Sequence, residues 1–195
     1  MPTTIRLATR DDAEQVQAIY APYCYTPISF ETEPPSVEEM RGRLAKVLGQ
    51  YPWLVCEEGG EVLGYVYATQ HRERAAYRWS ADTTVYVRQG RQRRGVGRAL
   101  YTSLLAVLPL QGYVNAYAGV TLPNPASVGL HEAVGFQPVG VYRQVGFKCG
   151  SWHDVAWFQR PLQPRPAEPS PPTPLEEVRH TAEWVEALSG GLRPL

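Results

Sequence analysis

Residues 82–108 write a β-strand, a glycine turn and a helix in direct succession, and few folds accommodate that order at the centre of a chain. Residues 82–87 alternate and are β-branched. Gln92-Arg93-Arg94-Gly95-Val96-Gly97 follows, a Q/R-x-x-G-x-G/A pattern, and Leu100, Leu104, Leu105 and Leu108 then recur on one helical face. Glycines let a backbone approach a ligand closely, while free amides and the helix dipole attract anionic oxygens. A diphosphate is the natural ligand of such a turn. Arg88, Arg91, Arg93, Arg94 and Arg98 crowd the same stretch, a local patch suited to a small polyanion. A P-loop would need Lys followed by Ser or Thr after the glycines, and a dinucleotide fold a third glycine in an early βαβ unit. Both are missing, which leaves another diphosphate ligand or an ordinary glycine turn.

The elements around this unit read as mixed α/β. Residues 5–8 form a short strand, and Thr9 or Asp11 caps a helix with Ala13, Val16, Ile19 and Tyr20 at helical spacing. An aromatic, irregular loop at 23–33 precedes Ser36-Val37-Glu38-Glu39, a capping-box pattern that opens a helix through Met40, Leu44, Val47 and Leu48. Residues 53–57 and 62–69, separated by Glu58-Gly59-Gly60-Glu61, write an antiparallel hairpin. Beyond the central helix come a strand at 114–120, a helix at 125–134 opened by Asn124, and closing strands at 139–145 and 154–160. One domain is expected over residues 1–162. Residues 163–174 are proline-rich with too few apolar side chains to join a core, so an extended linker is expected. Residues 175–195 form a helical tail in which Leu175, Val178, Trp184, Val185 and Leu188 offer a docking face, open to this chain, to a partner or to neither.

Charge and cysteine usage narrow the function classes. Nineteen basic side chains balance nineteen acidic ones, so no global positive field exists to hold a nucleic-acid backbone by counterion release. Nucleic acid is not the expected partner. Cys24, Cys56 and Cys149 are odd in number and show neither a CxxC pair nor zinc-ligand spacing, so no metal is expected and a reducing cytoplasm fits. Arg6 and Arg10 interrupt any apolar signal region, and no run approaches the ~18 apolar residues of a membrane span. A cytoplasmic enzyme without membrane contact is the expectation.

Several longer strings carry a resemblance. Tyr51-Pro52-Trp53-Leu54-Val55, Gly60-Glu61-Val62, Ala81-Asp82-Thr83-Thr84-Val85-Tyr86-Val87, Leu122-Pro123-Asn124, Leu130-His131-Glu132-Ala133, Gly146-Phe147-Lys148 and Trp152-His153-Asp154-Val155 stand beside the Gln92–Gly97 turn. Together they resemble the phosphinothricin N-acetyltransferases of the GNAT superfamily over about residues 3–162, with the tail outside the match. The resemblance implies a GNAT α/β fold, a mixed central sheet flanked by helices. It implies acetyl-CoA as co-substrate, and transfer of acetyl to the amino group of phosphinothricin, a glutamate analogue, as a detoxification. Related members acetylate methionine sulfone or methionine sulfoximine, and homodimers are typical.

Roles for individual residues follow from the resemblance. Asp82 stands where the family places a catalytic glutamate, as the base that deprotonates the acceptor ammonium, a task worth about 10²–10⁴-fold. One methylene fewer retracts the carboxylate by about 1.5 Å, so a bridging water is a candidate relay. A strand-end aspartate that caps a turn is the other reading. His131 matches a substrate-side histidine, suited to anion binding or proton transfer by an imidazole that titrates near pH ~6.5; a packed helical histidine is the alternative. Backbone groups of Val85, Tyr86 and Val87 are implied to pair with the pantetheine amides. Gln92, Arg93, Arg94, Gly95, Val96, Gly97 and Arg98 are implied to seat the diphosphate. Asn124 reaches the cofactor arm, caps the helix, or does both. Arg72, Arg74 and Tyr77 are implied to hold the acceptor's anionic groups, with Phe30 and Tyr67 lining its cavity. Trp152, His153 and Asp154 form a patch that serves the strand core or a shared dimer site. Two other functions compete: a catalytically silent acyl-CoA-binding module, prompted by the Glu-to-Asp change and the unmatched tail, and acetylation of a protein or peptide terminus.

Overall fold

The turn signal at Glu58–Glu61 folds as expected: Gly59 and Gly60 take φ of 61° and 85°, which only glycine adopts cheaply, and close a hairpin between β2 (Trp53–Glu58) and β3 (Glu61–Gln70). The computed structural model describes residues 2–192. Met1 and residues 193–195, which the expected domain and tail include, lie outside the described residues. The hairpin sits within a seven-stranded sheet of order β1-β2-β3-β4-β5-β7-β6, with β1 Thr3–Leu7, β4 Ser80–Val87, β5 Asn115–Leu122, β6 Gln137–Lys148 and β7 Ser151–Pro161.

All neighbouring strands are antiparallel except β4 and β5. These two pair only at Ser80↔Asn115, Ala81↔Ala116 and Asp82↔Tyr117. Beyond that point β4 stays with β3 as far as Val87 and β5 with β7 as far as Leu122, so the sheet opens into a wedge after Asp82.

Helices cover both faces. α1 (Ala13–Tyr20) and α2 (Val37–Leu48) bury Val16, Ile19, Met40 and Leu44 against Trp53, Val55 and Tyr65. The expected capping box forms, with Ser36 accepting from Glu39 N and the Glu39 carboxylate from Ser36 N. On the other face α3 (Val96–Val107) inserts Leu100, Leu104 and Val107 against Leu54, Val66 and Ala81, beside α4 (Pro125–Ala133). Asn124 caps α4 through a 3.1 Å bond from Ser127 N.

The strand ends and the tail are more definite than the sequence reading. β6 and β7 run past 139–145 and 154–160 and meet at a tight turn where Cys149 and Gly150 have φ of 50° and 78°. The tail is not one helix: α5 (Leu175–Val178) and α6 (Ala182–Ser189) are separated because Thr181 starts a new cap, accepting from Trp184 N. The tail also docks on its own chain. Leu175, Val178 and Trp184 join the buried cluster of α3, and Ser103 Oγ donates to Leu188 O at 2.6 Å. Gly191 approaches the Ala99 carbonyl so closely that a Cβ would collide with it. The proline-rich stretch is tied down as well, since Trp79 Nε1 donates to Ser170 O (2.7 Å) and Thr173 N to Gln111 O (2.7 Å).

Candidate active site

The turn between β4 and α3 is built to receive an anion. Gly95 occupies the N-cap position with φ 81° and offers no side chain to the helix. Ala99 N is satisfied by Gly95 O at 2.9 Å, so the amides of Val96, Gly97 and Arg98 precede the first intrahelical bond and face outward. Gly97 has a different use: a Cβ there would stand 3.0 Å from Leu130, so its absence lets α3 and α4 pack. Arg88 and Arg91 lie against Glu61 (3.4 and 2.6 Å), whereas Arg93, Arg94 and Arg98 make no ion pair among the described residues. Gln92 braces the turn by accepting from Gly90 N. A diphosphate fits this set: unpaired amides and a helix dipole at the start of α3, with Arg93, Arg94 and Arg98 without ion pairs in the turn and the first helical turn.

The wedge starts at the same end of β4. Past Asp82 the edge of β4 over Val85, Tyr86 and Val87 has no strand partner on the β5 side, so backbone groups there are available to an amide-bearing arm, except the Val87 carbonyl. Tyr23 OH donates to Val87 O at 2.6 Å. Where the strands part, Thr83 Oγ1 donates to Tyr117 O (2.9 Å) and lies 3.3 Å from Tyr101 OH.

Asp82 is the third residue of β4 and the last paired across to β5. Its side chain points to the α1/α2 face, where Oδ1 lies 2.6 Å from His71 Nδ1. Burial pushes the Asp82 carboxyl above the usual carboxylate range, against the hydrogen bond and charge of His71 and the charge of Arg72. His71 stacks on Tyr117, centroids 4.3 Å apart at 14°, and meets Tyr77 edge-on at 5.9 Å. The Arg72 guanidinium lies 5.7 Å from the Trp157 ring centroid. Arg72 and Tyr77 therefore gather near Asp82. Arg74 is exposed, and no described hydrogen bond or ion pair engages its side chain.

A cavity of about 410 Å³ opens on the same face between α2 and strands β2 and β3. Tyr67 lines it, stacked 4.1 Å from Trp53, and Glu31 and Arg43 close one side with a bidentate pair at 2.6 and 3.0 Å. Trp53 Nε1 is buried there without a protein acceptor. Thr69, also in the lining, stands opposite Asp82 in the β3–β4 register, so the cavity adjoins the carboxylate. Phe30 lies outside this lining, half exposed against Gly146, its ring 6.5 Å from His153.

Lys148 holds the 23–33 loop in place. Its buried ammonium donates to the carbonyls of Cys24 (2.7 Å), Ser29 and Glu31 (2.6 Å) and so uses all three protons on backbone. Trp152 is largely exposed, His153 Nε2 lies 2.9 Å from Lys148 O, and Asp154 accepts from Arg143 and from Gln144 N.

The structure does not bring His131 to Asp82. Successive strand residues face opposite ways; Asp82 shares its face with Tyr117 and Trp157, while His131 stacks on Phe158, their neighbour on the other face, at 5.8 Å. His131 is 3 % exposed, with Nδ1 2.7 Å from Ser127 O and Nε2 2.8 Å from Tyr101 OH. Burial holds the imidazole below its usual range. The sequence reading passed over His71, Tyr101 and the buried use of Lys148. For His71 a signal existed: alternation from Tyr67 through Thr69 carries it onto the Asp82 face.

A family model described as an acetyltransferase (GNAT) domain matches residues 5–157. Among curated proteins, the phosphinothricin N-acetyltransferase of Streptomyces viridochromogenes is 41% identical over 178 residues, 91% of this chain and 97% of that protein. The phosphinothricin N-acetyltransferase of Alcaligenes faecalis is 44% identical over 162 residues, 82% of each. Among solved structures, a GNAT superfamily phosphinothricin acetyltransferase from Sinorhizobium meliloti in complex with AcCoA superposes with a TM-score of 0.81 at 33% identity, covering 94% of this chain and 99% of that one.

Proposed function

The chain belongs to the GNAT family of acetyltransferases, and from that premise we propose that it acetylates the amino group of phosphinothricin or a close amino-acid analogue, as a detoxification. It is an acetyl-CoA-dependent N-acetyltransferase. The observation that carries the proposal is the position of Asp82, at the last β4–β5 pair, between the opening wedge and the cavity beside β3.

Acetyl-CoA, when bound, supplies an activated acetyl group. The amides of Val96, Gly97 and Arg98 with Arg93 and Arg94 would hold its diphosphate, the open edge of Val85–Val87 its pantetheine amides, and Asn124 its arm. On the acceptor side, Arg72 and Tyr77 would bind the substrate's anionic groups, with the exposed Arg74 as a further cation of the same segment and Tyr67 lining the cavity. A guanidinium suits a carboxylate or phosphinate because its paired N–H groups match two oxygens at once. Asp82 is proposed as the source of basicity that drains the acceptor's ammonium proton. His131 is proposed to act through Tyr101, orienting the hydroxyl that lies beside Thr83 where the strands part.

Residues 1–162 are proposed as the acetyltransferase domain, with 163–174 as a connecting strap and 175–195 as a C-terminal tail, of which residues 175–192 are proposed to brace α3. We assign a homodimer, supported by the apolar face that β6 and β7 leave uncovered, where Phe147 and Trp152 are 61% and 60% exposed and pack together at 5.4 Å. No helix among the described residues is long and apolar enough to cross a membrane, and a cytoplasmic location without nucleic-acid partners remains the proposal.

The test is thiol release from acetyl-CoA with phosphinothricin, methionine sulfone and methionine sulfoximine as acceptors. Turnover with at least one is expected, and Asp82→Ala should lower it by about 10²–10⁴-fold while acetyl-CoA affinity stays nearly constant. No release with any of the three would overturn the proposed acceptor class.

A further inference from the structure

Asp82 is a short carboxylate, and the atom in front of it is an imidazole nitrogen. His71 follows β3 directly, on the Asp82 face, with Nδ1 2.6 Å from Oδ1. Its ring is fixed by stacking on Tyr117 and by edge contacts with Tyr77 and Trp157 at 5.9 and 6.3 Å, and its carbonyl accepts from Arg72 Nη1 at 3.1 Å. Nε2 makes no hydrogen bond among the described residues, and it is not among the nitrogens sealed away from solvent without a partner. A carboxylate on one imidazole nitrogen selects the tautomer in which that nitrogen carries the proton, and it stabilises the imidazolium formed when the other nitrogen accepts one.

We propose that Nε2 of His71 is the atom that takes the acceptor's ammonium proton, with Asp82 as its orienting and charge-balancing partner. The inference rests on the acetyl-transfer reading and specifies its base. The acceptor R–NH3+ loses one proton to Nε2. The freed nitrogen pair makes the N–C bond to the acetyl carbon as the C–S bond breaks, and the C–S pair leaves with sulfur. The nitrogen's second surplus proton is then lost and the sulfur gains one, so the sum is amide, free thiol and one proton delivered to solvent from His71. The dyad also removes the difficulty posed by the aspartate: the reach lost with a methylene, about 1.5 Å, is restored by an imidazole ring. The groups that face His71 are Asp82 from β4, Arg72 and Tyr77 from the segment after β3, Tyr117 from β5 and the uncharged Trp157 from β7. Asp82 is the only carboxylate among them.

Two measurements on the full chain decide the matter. In steady-state kinetics across pH, His71→Gln should lower kcat by about 10²–10⁴-fold and abolish the acidic limb of kcat/KM, while KM for the acceptor and acetyl-CoA affinity by calorimetry change little. A residue that only packs would shift KM and melting temperature instead. In nitrogen NMR of the ligand-free protein, His71 should carry its proton on Nδ1 in the wild type and on Nε2 in Asp82→Asn. The proposal is overturned if His71→Gln keeps turnover and an unchanged acidic limb, or if the neutral wild-type ring is protonated on Nε2. Absence of turnover in the wild type would instead sink the acetyl-transfer reading, and the NMR tautomer would still decide whether the dyad exists.

Discussion

Replacing Trp184 by alanine would remove an indole that is 3 % exposed and packed in the same cluster as Leu175, Val178 and the inner face of α3. Truncation of a buried tryptophan costs about 3–5 kcal/mol, because transfer free energy and an unfilled cavity act together. The backbone around it has little freedom to collapse: Ser103 Oγ holds Leu188 O, and Gly191 is already against the Ala99 carbonyl. The upper part of that range is therefore expected. With a urea slope of about 2 kcal/mol per M, a loss of about 4 kcal/mol lowers the unfolding midpoint by about 2 M. Far-UV circular dichroism reads this without relying on the deleted fluorophore. A midpoint that moves by less than about 0.3 M would mean that residues 175–192 do not belong to the domain core, and the brace against α3 would be abandoned.

Gly95→Ala places a Cβ at φ 81°; the left-handed strain of about 1–2 kcal/mol should distort the turn and weaken acetyl-CoA binding about tenfold, read by calorimetry. Lys148→Met leaves the carbonyls of Cys24, Ser29 and Glu31 without their donor. At about 1–3 kcal/mol per orphaned buried group, melting should fall and acceptor KM rise, with acetyl-CoA affinity unchanged. His131 has a folded pKa held below its usual 6.5 by burial, so below that pH the unfolded chain binds more protons and stability falls as pH drops. Urea midpoints at pH 7 and pH 5 should differ, and His131→Gln should reduce the difference.

Much of the fold was readable because its core obeys simple periods. Leu100, Leu104 and Leu105 announced α3, and Ser36 with Glu39 announced the start of α2. The ends of β6 were not readable, since that strand is an edge exposed along most of its length and burial imposes no alternation on it. The tail was ambiguous for a related reason: Leu175, Val178 and Trp184 promised a docking face, but whether α3 or another molecule receives it depends on side chains far apart in sequence. In the site, the glycine turn was explicit, whereas His71 was hidden among the charged residues of a loop. Its importance comes from the β3–β4 register, a long-range pairing that places position 69 opposite position 82. His131 shows the converse. The histidine of a string that resembled a substrate-side motif is buried on the far face, held by Tyr101.

The central claim is that the uncapped start of α3 seats the diphosphate of acetyl-CoA beside the wedge that begins at Asp82. Amide NMR of labelled protein titrated with acetyl-CoA measures this directly. The resonances of Gly95, Val96, Gly97 and Arg98 should shift most and saturate together, followed by Val85–Val87 along the open edge of β4. Saturable binding that leaves these amides unmoved, or no binding at all, would contradict the account.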